Sequence, residues 1–187
     1  MSIIRFLSIT VIVFISYVLF HLVQIQIYSG NFLTSEFNTI AYSIYIPHGL
    51  RLLVFLIYGY WAVPGLFFAH IYTGYINDGY VIFDIIFFVT ILISTLCVPL
   101  GALIIKNIFK NLDNFFKPNY IILITLVSAF INASLTNILR LLTRSDYEIE
   151  RFLPEFLGYM TGDTLGVVLI VFGYIGIKRL FFLSVSK

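Results

Sequence analysis

Two ionisable residues stand alone inside long apolar stretches of the sequence. Arg51 lies in IPHGLRLLVFLIYGYWAVPGLF, and Asp163 lies in FLGYMTGDTLGVVLIVFGYIG. A charge at the centre of a membrane helix costs roughly 2.5–3.5 kcal/mol, so such residues usually face the bundle interior and find a partner. We therefore predict that Arg51 and Asp163 approach each other. Two alternatives remain for Arg51: it extends its charged end to water at the membrane surface, or it binds an anionic group in a cavity.

A third polar set follows one face of a later apolar stretch. Its members are Ala129, Ala133, Asn137, Arg140 and Arg144, with Asn132 beside them. If the two arginines line the same cavity as Arg51, that cavity is cationic and suits a phosphate, a carboxylate or a lipid headgroup. Alternatively, the arginines reach water or pair with one of four nearby carboxylates, Asp146, Glu148, Glu150 or Glu155. The predicted ligand-binding residues are Arg51, Asp163, His48, Asn137 and Arg140.

Composition indicates the surroundings in which these residues act. The chain of 187 residues is 60% hydrophobic and only 11% charged, whereas soluble domains have roughly 45–50% apolar and about 25% charged residues. These values predict a helical membrane protein. The net charge of +2 gives no reason to expect a nucleic-acid partner.

Several kinds of chemistry are not expected from this chain. Cys97 is the single cysteine, so no disulfide forms within the chain. The histidines His21, His48 and His70 lack the spacing of a zinc site on a helix. No nucleophile and base are arranged by a recognisable motif. We therefore predict no catalytic residues, no metal site, no cofactor and no enzyme activity.

The predicted fold is all-α, a polytopic membrane bundle in which residues 1–187 form a single domain. The six predicted spans are roughly Ile4 to Ile27, Gly49 to Tyr60, Trp61 to Ile76, Val81 to Ile105, Tyr120 to Leu142 and Phe156 to Leu180. The second and third are short, and we predict that they form a tight hairpin with its turn facing the cytoplasm. The segment NFLTSEFNTIAYSIY before Pro47 is predicted to be a short interfacial helix. We read the N-terminal apolar run as a retained span, since no cleavage site follows it.

Basic residues predict the orientation of these spans. Those in the loops and tails are Arg5, Lys106, Lys110, Lys117, Lys178, Arg179 and Lys187. With six spans they fall on one side, which is cytoplasmic by the positive-inside rule and holds both termini. The mixed-charge segment Thr143 to Glu155 is the exception.

Glycines recur every four residues beside Asp163. Gly158, Gly162 and Gly166 form a small-residue stripe, which lets another helix approach closely. The stripe is typical of a packing face within one chain, and it also makes a homo-oligomer possible.

Two segments resemble the MASE family of membrane-associated sensor domains. They are IPHGLRLLVFLIYGYWAVPGLFFAHIYTG and FLGYMTGDTLGVVLIVFGYIGIKRLF. Pro47, Gly49, Arg51, Trp61, Pro64 and Gly65 fall on the first family motif, and Gly162, Asp163 and Gly166 fall on the second. The Gly-Leu-Arg-Leu wording is also similar to hexose-phosphate-type sensor kinases. The chain departs from the family in having fewer predicted spans and in the Ala62-Val63 insertion before Pro64. We expect a shortened, free-standing form whose output comes from a partner.

The resemblance implies a sensor module of the inner membrane. We expect a non-enzymatic, multi-pass protein that binds a small anionic or lipid-like ligand, or a membrane partner, and relays occupancy to a separate output protein. Its expected partners are membrane lipid and a separate signalling or membrane protein. The alternatives are a small transporter or the substrate-binding subunit of one, and a scaffold that docks through the glycine stripe.

Overall fold

The computed structural model of the protein describes residues 2–28, 44–77, 85–109, 116–144 and 147–185. Throughout these ranges the secondary structure is helical. The α-helices are α1 (Ile3–Tyr28), α2 (Ile46–Tyr58), α3 (Val63–Asn77), α4 (Ile85–Ile108), α5 (Pro118–Thr143), α6 (Phe152–Val167) and α7 (Gly173–Val185). A 3-10 turn, Gly59–Ala62, joins α2 to α3, and a π-helical segment, Val168–Phe172, joins α6 to α7. The predicted interfacial helix lies almost wholly outside the described residues.

Within the described ranges, five helical stretches are long and apolar enough to cross a membrane. They are Ile3–Ile27, Ile46–Ile76, Ile85–Ile108, Pro118–Thr143 and Ile149–Arg179. The prediction of an all-helical membrane protein is confirmed at this level. The second stretch contains both short predicted spans, because helical geometry continues almost unbroken from α2 through the 3-10 turn into α3. Six passages and the side of the termini stay predictions.

The chain nevertheless reverses direction within the second stretch. At the start of α2, the Ile46 amide donates to Gln24 Oε1 near the end of α1, at 3.0 Å. At the 3-10 turn, the Trp61 ring packs edge-to-face on Phe6, near the start of α1, with ring centroids 5.9 Å apart. Gly59 has φ of +60°, a left-handed conformation that glycine adopts without strain. Thus α2 runs antiparallel to α1 and α3 returns parallel to it, as the predicted hairpin requires.

Helix α2 lies at the centre of the bundle. One apolar core joins α2 to α4, α5 and the end of α6, and includes Leu52, Val98 and Ile124. A second core joins α2 to α1 and α3, and includes Val13, Val54 and Leu66. Because α2 contributes to both cores, every residue of its first two turns, 46–52, is buried. This position explains how Arg51 is buried.

Helices α2 and α6 meet backbone to backbone through glycines. A Cβ atom at Gly49 would overlap the Gly166 carbonyl, and one at Gly166 would overlap the Tyr45 carbonyl. The Tyr45 amide donates to the Gly162 carbonyl at 2.9 Å. The glycine stripe is therefore used inside the chain at Gly162 and Gly166, whereas a Cβ at Gly158 would meet open space. A homo-oligomer stays a prediction.

Candidate functional site

The glycine contact brings the two isolated charges together. Arg51 follows Gly49 by two residues on α2, and Asp163 precedes Gly166 by three residues on α6. Arg51 Nη2 lies 3.8 Å from Asp163 Oδ1, and the side chains are only 1% and 0% exposed. The predicted approach of Arg51 and Asp163 is confirmed. The alternative in which Arg51 reaches water at the membrane surface is wrong, because α2 lies at the bundle centre.

Three further groups hold the Arg51 side chain. Its Nη1 donates to the Ser94 carbonyl of α4 at 2.6 Å. Its Nη2 lies 2.8 Å from His48 Nδ1, one turn earlier on α2. The guanidinium carbon lies 5.6 Å from the centre of the Tyr45 ring, close enough for a cation–π interaction. The guanidinium is therefore positioned from α2 and α4, while its Nε is buried with no hydrogen-bond partner in the described part of the chain.

Asp163 is bound from α5 and α2. Asn132 Nδ2 donates to Asp163 Oδ2 at 2.8 Å, and His48 Nδ1 lies 3.1 Å from the same oxygen. The other ring nitrogen of His48 lies 3.2 Å from Ser128 Oγ. His48, Arg51 and Asp163, three of the predicted ligand-binding residues, therefore form one buried cluster, which we call the charge cluster.

A cavity of about 230 Å³ reaches the charge cluster. Arg51 lines its deep part, and Arg140 and Arg144 line it from the end of α5, which is the alternative that makes the cavity cationic. No Asp or Glu is among the described residues that line it. Asn132 also lines the cavity, and its Oδ1 is buried with no hydrogen-bond partner within the described ranges. The deep part thus offers one free donor, Arg51 Nε, and one free acceptor.

Arg140 both lines the cavity and pairs with a carboxylate, which were considered as alternatives for it. Besides lining the cavity, it donates to Glu155 Oε2 at 2.7 Å and to the Tyr159 hydroxyl at 2.6 Å. Its side chain is 31% exposed, so the ion pair is partly in contact with solvent and is weak. An anion in the cavity can therefore compete with Glu155 for this guanidinium.

The opposite wall of the cavity is aromatic. Tyr17 of α1 stacks on His70 of α3 with ring centroids 4.5 Å apart. The Tyr17 hydroxyl lies 3.2 Å from His70 Nε2, and His70 Nδ1 lies 2.9 Å from the Leu66 carbonyl. Because a carbonyl only accepts, Nδ1 carries the hydrogen and Nε2 accepts from Tyr17. This wall presents ring faces to the cavity while its polar atoms are satisfied.

A second cavity, of about 380 Å³, lies along α6 and is lined by Asp163, Gly158 and Gly162. Tyr45, Tyr159 and Arg140 border both cavities. Arg51 is therefore reached from the first cavity and Asp163 from the second. The two charges of one buried pair face different spaces.

Asn137, the fifth predicted ligand-binding residue, lies elsewhere. Its Nδ2 donates to the Ala133 carbonyl at 2.8 Å, and its Oδ1 accepts from the Tyr147 hydroxyl at 2.7 Å. Burial and the Glu155 carboxylate raise the pKa of Tyr147, so its phenol stays protonated and donates. Asn137 is absent from the described linings of both cavities. It ties the segment after α5 to that helix.

The predicted motif residues shape the helices around the site. Pro47 stands in the first turn of α2 and Pro64 in the first turn of α3, where a missing amide hydrogen leaves no bond unmade. Gly65 brings α3 against the Thr10 carbonyl and Val13 of α1. Trp61 anchors the turn on Phe6.

Four side chains of the site are not among the predicted ligand-binding residues, although Asn132 was placed beside the polar face of α5. Ser128 and Asn132, one turn apart on α5, contact the charge cluster, and Tyr17 and His70 form the aromatic wall. The only available signal was the i, i+4 spacing of Ser128 and Asn132 in an apolar helix. Tyr17 and His70 come together only through packing of α1 on α3.

No protein-family model, curated protein or solved structure matches this chain. Within the described ranges, no group of three or more His, Cys, Asp or Glu side chains could hold a metal ion.

Proposed function

We propose that this protein is a multi-pass module of the inner membrane that binds a small organic anion in its arginine-lined cavity, without catalysing a reaction. The observation that carries the proposal is that Arg51, Arg140 and Arg144 line one cavity with no carboxylate among its described lining residues. Guanidinium groups bind carboxylates and phosphates through paired hydrogen bonds.

The cavity also supports a size and a shape for the ligand. Its volume of about 230 Å³ is below the roughly 300–1,000 Å³ of sites for drug-sized ligands. The acid group of the anion would accept from Arg51 Nε, and a hydroxyl group would donate to Asn132 Oδ1. The carbon skeleton would lie against Tyr17 and His70. A hydroxylated acid or a sugar phosphate has this combination of groups.

The proposed orientation puts the cavity mouth on the outer side of the membrane. Arg140 and Arg144 lie at the end of α5, which is opposite the Gly59–Ala62 turn in the bundle. Lys106 and Lys117 flank the other ends of α4 and α5, and the positive-inside rule assigns these lysines to the cytoplasm. Six passages follow if α2 and α3 each count as one. The anion would then enter from outside the cell.

Sensing is the function that we propose for this binding. The resemblance to MASE-family domains supports it, with occupancy relayed to a separate signalling protein in the same membrane. The second candidate is transport, because buried charges beside two cavities also suit a transporter. Uptake of a bound anion into liposomes that contain the purified protein would favour transport, whereas binding without uptake would favour sensing.

The test of the proposed function is equilibrium binding in lipid nanodiscs by isothermal titration calorimetry. The probes are sulfate, a hexose monophosphate, a four-carbon dicarboxylate and, as a neutral control, a hexose. We expect at least one anion to bind and the hexose not to bind. Arg51→Gln should weaken the binding by roughly 10- to 100-fold, because a charge-assisted hydrogen bond contributes about 1.5–3 kcal/mol.

Arg179→Gln is the matched control, since it removes an exposed arginine of α7. It should leave the anion affinity unchanged. The proposal is overturned if no anion binds to the wild-type protein, or if Arg51→Gln binds as tightly as Arg179→Gln does.

A further inference from the structure

We propose that His48 and Asp163 form a proton-binding site that takes up one proton when an anion binds at Arg51. This inference rests on the proposed function, because it concerns the same cavity. It adds a second ligand, the proton, and predicts that the two bind together.

The hydrogen-bond pattern around His48 calls for a proton. The Ser128 hydroxyl donates to the Thr125 carbonyl at 3.0 Å, so its oxygen accepts from His48 Nε2. A neutral His48 then carries its hydrogen on Nε2 and a lone pair on Nδ1. Asp163 Oδ2 lies 3.1 Å from that Nδ1. Without a further proton, two acceptors face each other at hydrogen-bond distance.

A proton on Asp163 Oδ2 turns this contact into a hydrogen bond. The proton belongs on the carboxyl group, because Arg51 Nη2 also donates toward His48 Nδ1 at 2.8 Å, and a hydrogen on Nδ1 would oppose it. Asn132 Nδ2 donates to Asp163 Oδ2, and an oxygen that carries a hydrogen still accepts this bond. The single lone pair of His48 Nδ1 is then shared between the Asp163 hydroxyl and Arg51 Nη2, as a three-centre hydrogen bond.

The charge count then couples the proton to the anion. With Asp163 ionised, the charge cluster is neutral, because the carboxylate balances Arg51. With Asp163 protonated, Arg51 is left as an unbalanced charge that is 1% exposed, which is strongly unfavourable. An anion beside Arg51 restores neutrality. The two stable states are therefore the empty cavity with an ionised Asp163 and the occupied cavity with a protonated Asp163.

The groups that face Asp163 from the packed helices allow this exchange. Helix α2 contributes His48 and Arg51, and α5 contributes Asn132 and Ser128, which do not titrate. Cys97 of α4 lies 3.7 Å from Arg51 Nη1, and Tyr17 of α1 lines the cavity beyond Arg51. The second cavity reaches Asp163 directly, and its described titratable or charged lining residues besides Asp163 are Tyr45, Tyr159, Arg140 and Glu155. A proton can therefore reach Asp163 from the second cavity while the anion lies beside Arg51 in the first.

Sulfate is the probe for the test, because its charge stays constant across the pH range in which the protein is folded. We expect the sulfate Kd of the wild-type protein to rise by up to tenfold per pH unit. The rise covers the pH range in which Asp163 is ionised in the empty protein and protonated in the sulfate-bound protein. Below this range the affinity is highest, and above it the affinity is low and constant. Titration in two buffers of different ionisation enthalpy should report uptake of about one proton per sulfate.

Asp163→Asn removes the titrating carboxyl group and its charge while keeping a side chain of nearly the same shape, and it should bind sulfate with a pH-independent Kd near that of the wild type in acid. Glu150→Gln, which removes an exposed carboxylate outside both described cavity linings, should keep the wild-type pH dependence. An infrared difference spectrum of the wild type should gain a carboxylic-acid band when sulfate binds. That band should be missing in Asp163→Asn.

The outcomes separate the two proposals. If sulfate binds through Arg51 with the same Kd at every pH and no proton uptake, the proton site is refuted and the proposed function stands. If sulfate binds to neither the wild type nor Asp163→Asn at any pH, and no other anion binds, the proposed function fails and the proton coupling fails with it. If Asp163→Asn does not fold, the proton count and the infrared band of the wild type decide.

Discussion

The Arg51–Asp163 pair allows a quantitative test of the fold and the site together. The change is a double-mutant cycle that combines Arg51→Met with Asp163→Asn. Methionine keeps much of the arginine volume, and the new asparagine still accepts the hydrogen bond from Asn132. We expect either single change to destabilise the protein and the double variant to regain much of the loss, because removing one partner of a buried pair leaves an uncompensated charge.

The structure gives the size of this coupling. At the 3.8 Å separation of the charged atoms, Coulomb's law with an effective dielectric constant of about 20 gives roughly 4 kcal/mol. Arg51→Met alone should cost about 3–5 kcal/mol. The coupling energy of the cycle should be on the order of 2–4 kcal/mol, since the guanidinium keeps the Ser94 carbonyl and His48 as partners in Asp163→Asn.

The chain contains a matched control for burial. Arg151 Nε lies 3.8 Å from Glu155 Oε1, the same separation, but Arg151 is 61% exposed and Glu155 27% exposed. The cycle of Arg151→Met with Glu155→Gln should give a coupling below about 1 kcal/mol, as exposed pairs do. The measurement is the free energy of unfolding in lipid bicelles at alkaline pH, where carboxyl groups are ionised.

Equal coupling in the two cycles would refute the reasoning, because a buried pair should be coupled more strongly than a partly exposed pair at the same separation. A coupling of Arg51 and Asp163 that does not change between alkaline and acidic pH would contradict the exchange of the Asp163 proton. The exposed pair supplies the reference for any general effect of pH on the protein.

Two other predictions test how the chain is arranged. Gly49→Ala should destabilise the protein by about 1–3 kcal/mol in unfolding measurements in bicelles, because the added Cβ would overlap the Gly166 carbonyl. Gly158→Ala should not destabilise it, since a Cβ there meets open space. Equal effects of the two changes would argue against the α2–α6 contact. Tyr60 is 57% exposed, so Tyr60→Cys, made in a variant that lacks Cys97, should react with a membrane-impermeant maleimide. The reaction should occur only from the cytoplasmic side. Labelling from the outer side would reverse the proposed orientation.

Part of the fold could be predicted because an unpaired charged residue is costly inside a bilayer. Arg51 and Asp163 could be paired from the sequence because a lone buried charge is so costly that each needs the other. Hydropathy also located the apolar stretches. By itself, hydropathy treats Ile46–Ile76 as one stretch. The predicted hairpin depended instead on the Pro and Gly residues that begin its two short helices. Its turn uses the left-handed conformation of Gly59, which no polarity pattern indicates.

The residues that line the cavity were harder to predict from the sequence. Asn132 and Asn137 both belong to the polar part of α5, and both are buried, so burial alone does not tell which one faces a ligand. The answer depends on the neighbours: Asn132 points to Asp163 of α6, whereas Asn137 is occupied by Tyr147. The aromatic wall depends on the register of α1 against α3, which no local pattern specifies.

The glycine contact between α2 and α6 separates the bundle into a rigid pair of helices and the helices around that pair. Backbone packed on backbone has no side chains to rearrange, so Gly49 and Gly166 make these two helices a fixed frame that holds both charges. The rest of the described cavity wall belongs to α4, α5 and the α1–α3 pair. If an anion binds there as proposed and draws Arg140 inward, α5 would shift rather than α2 or α6. A partner protein would then read the occupancy from α5.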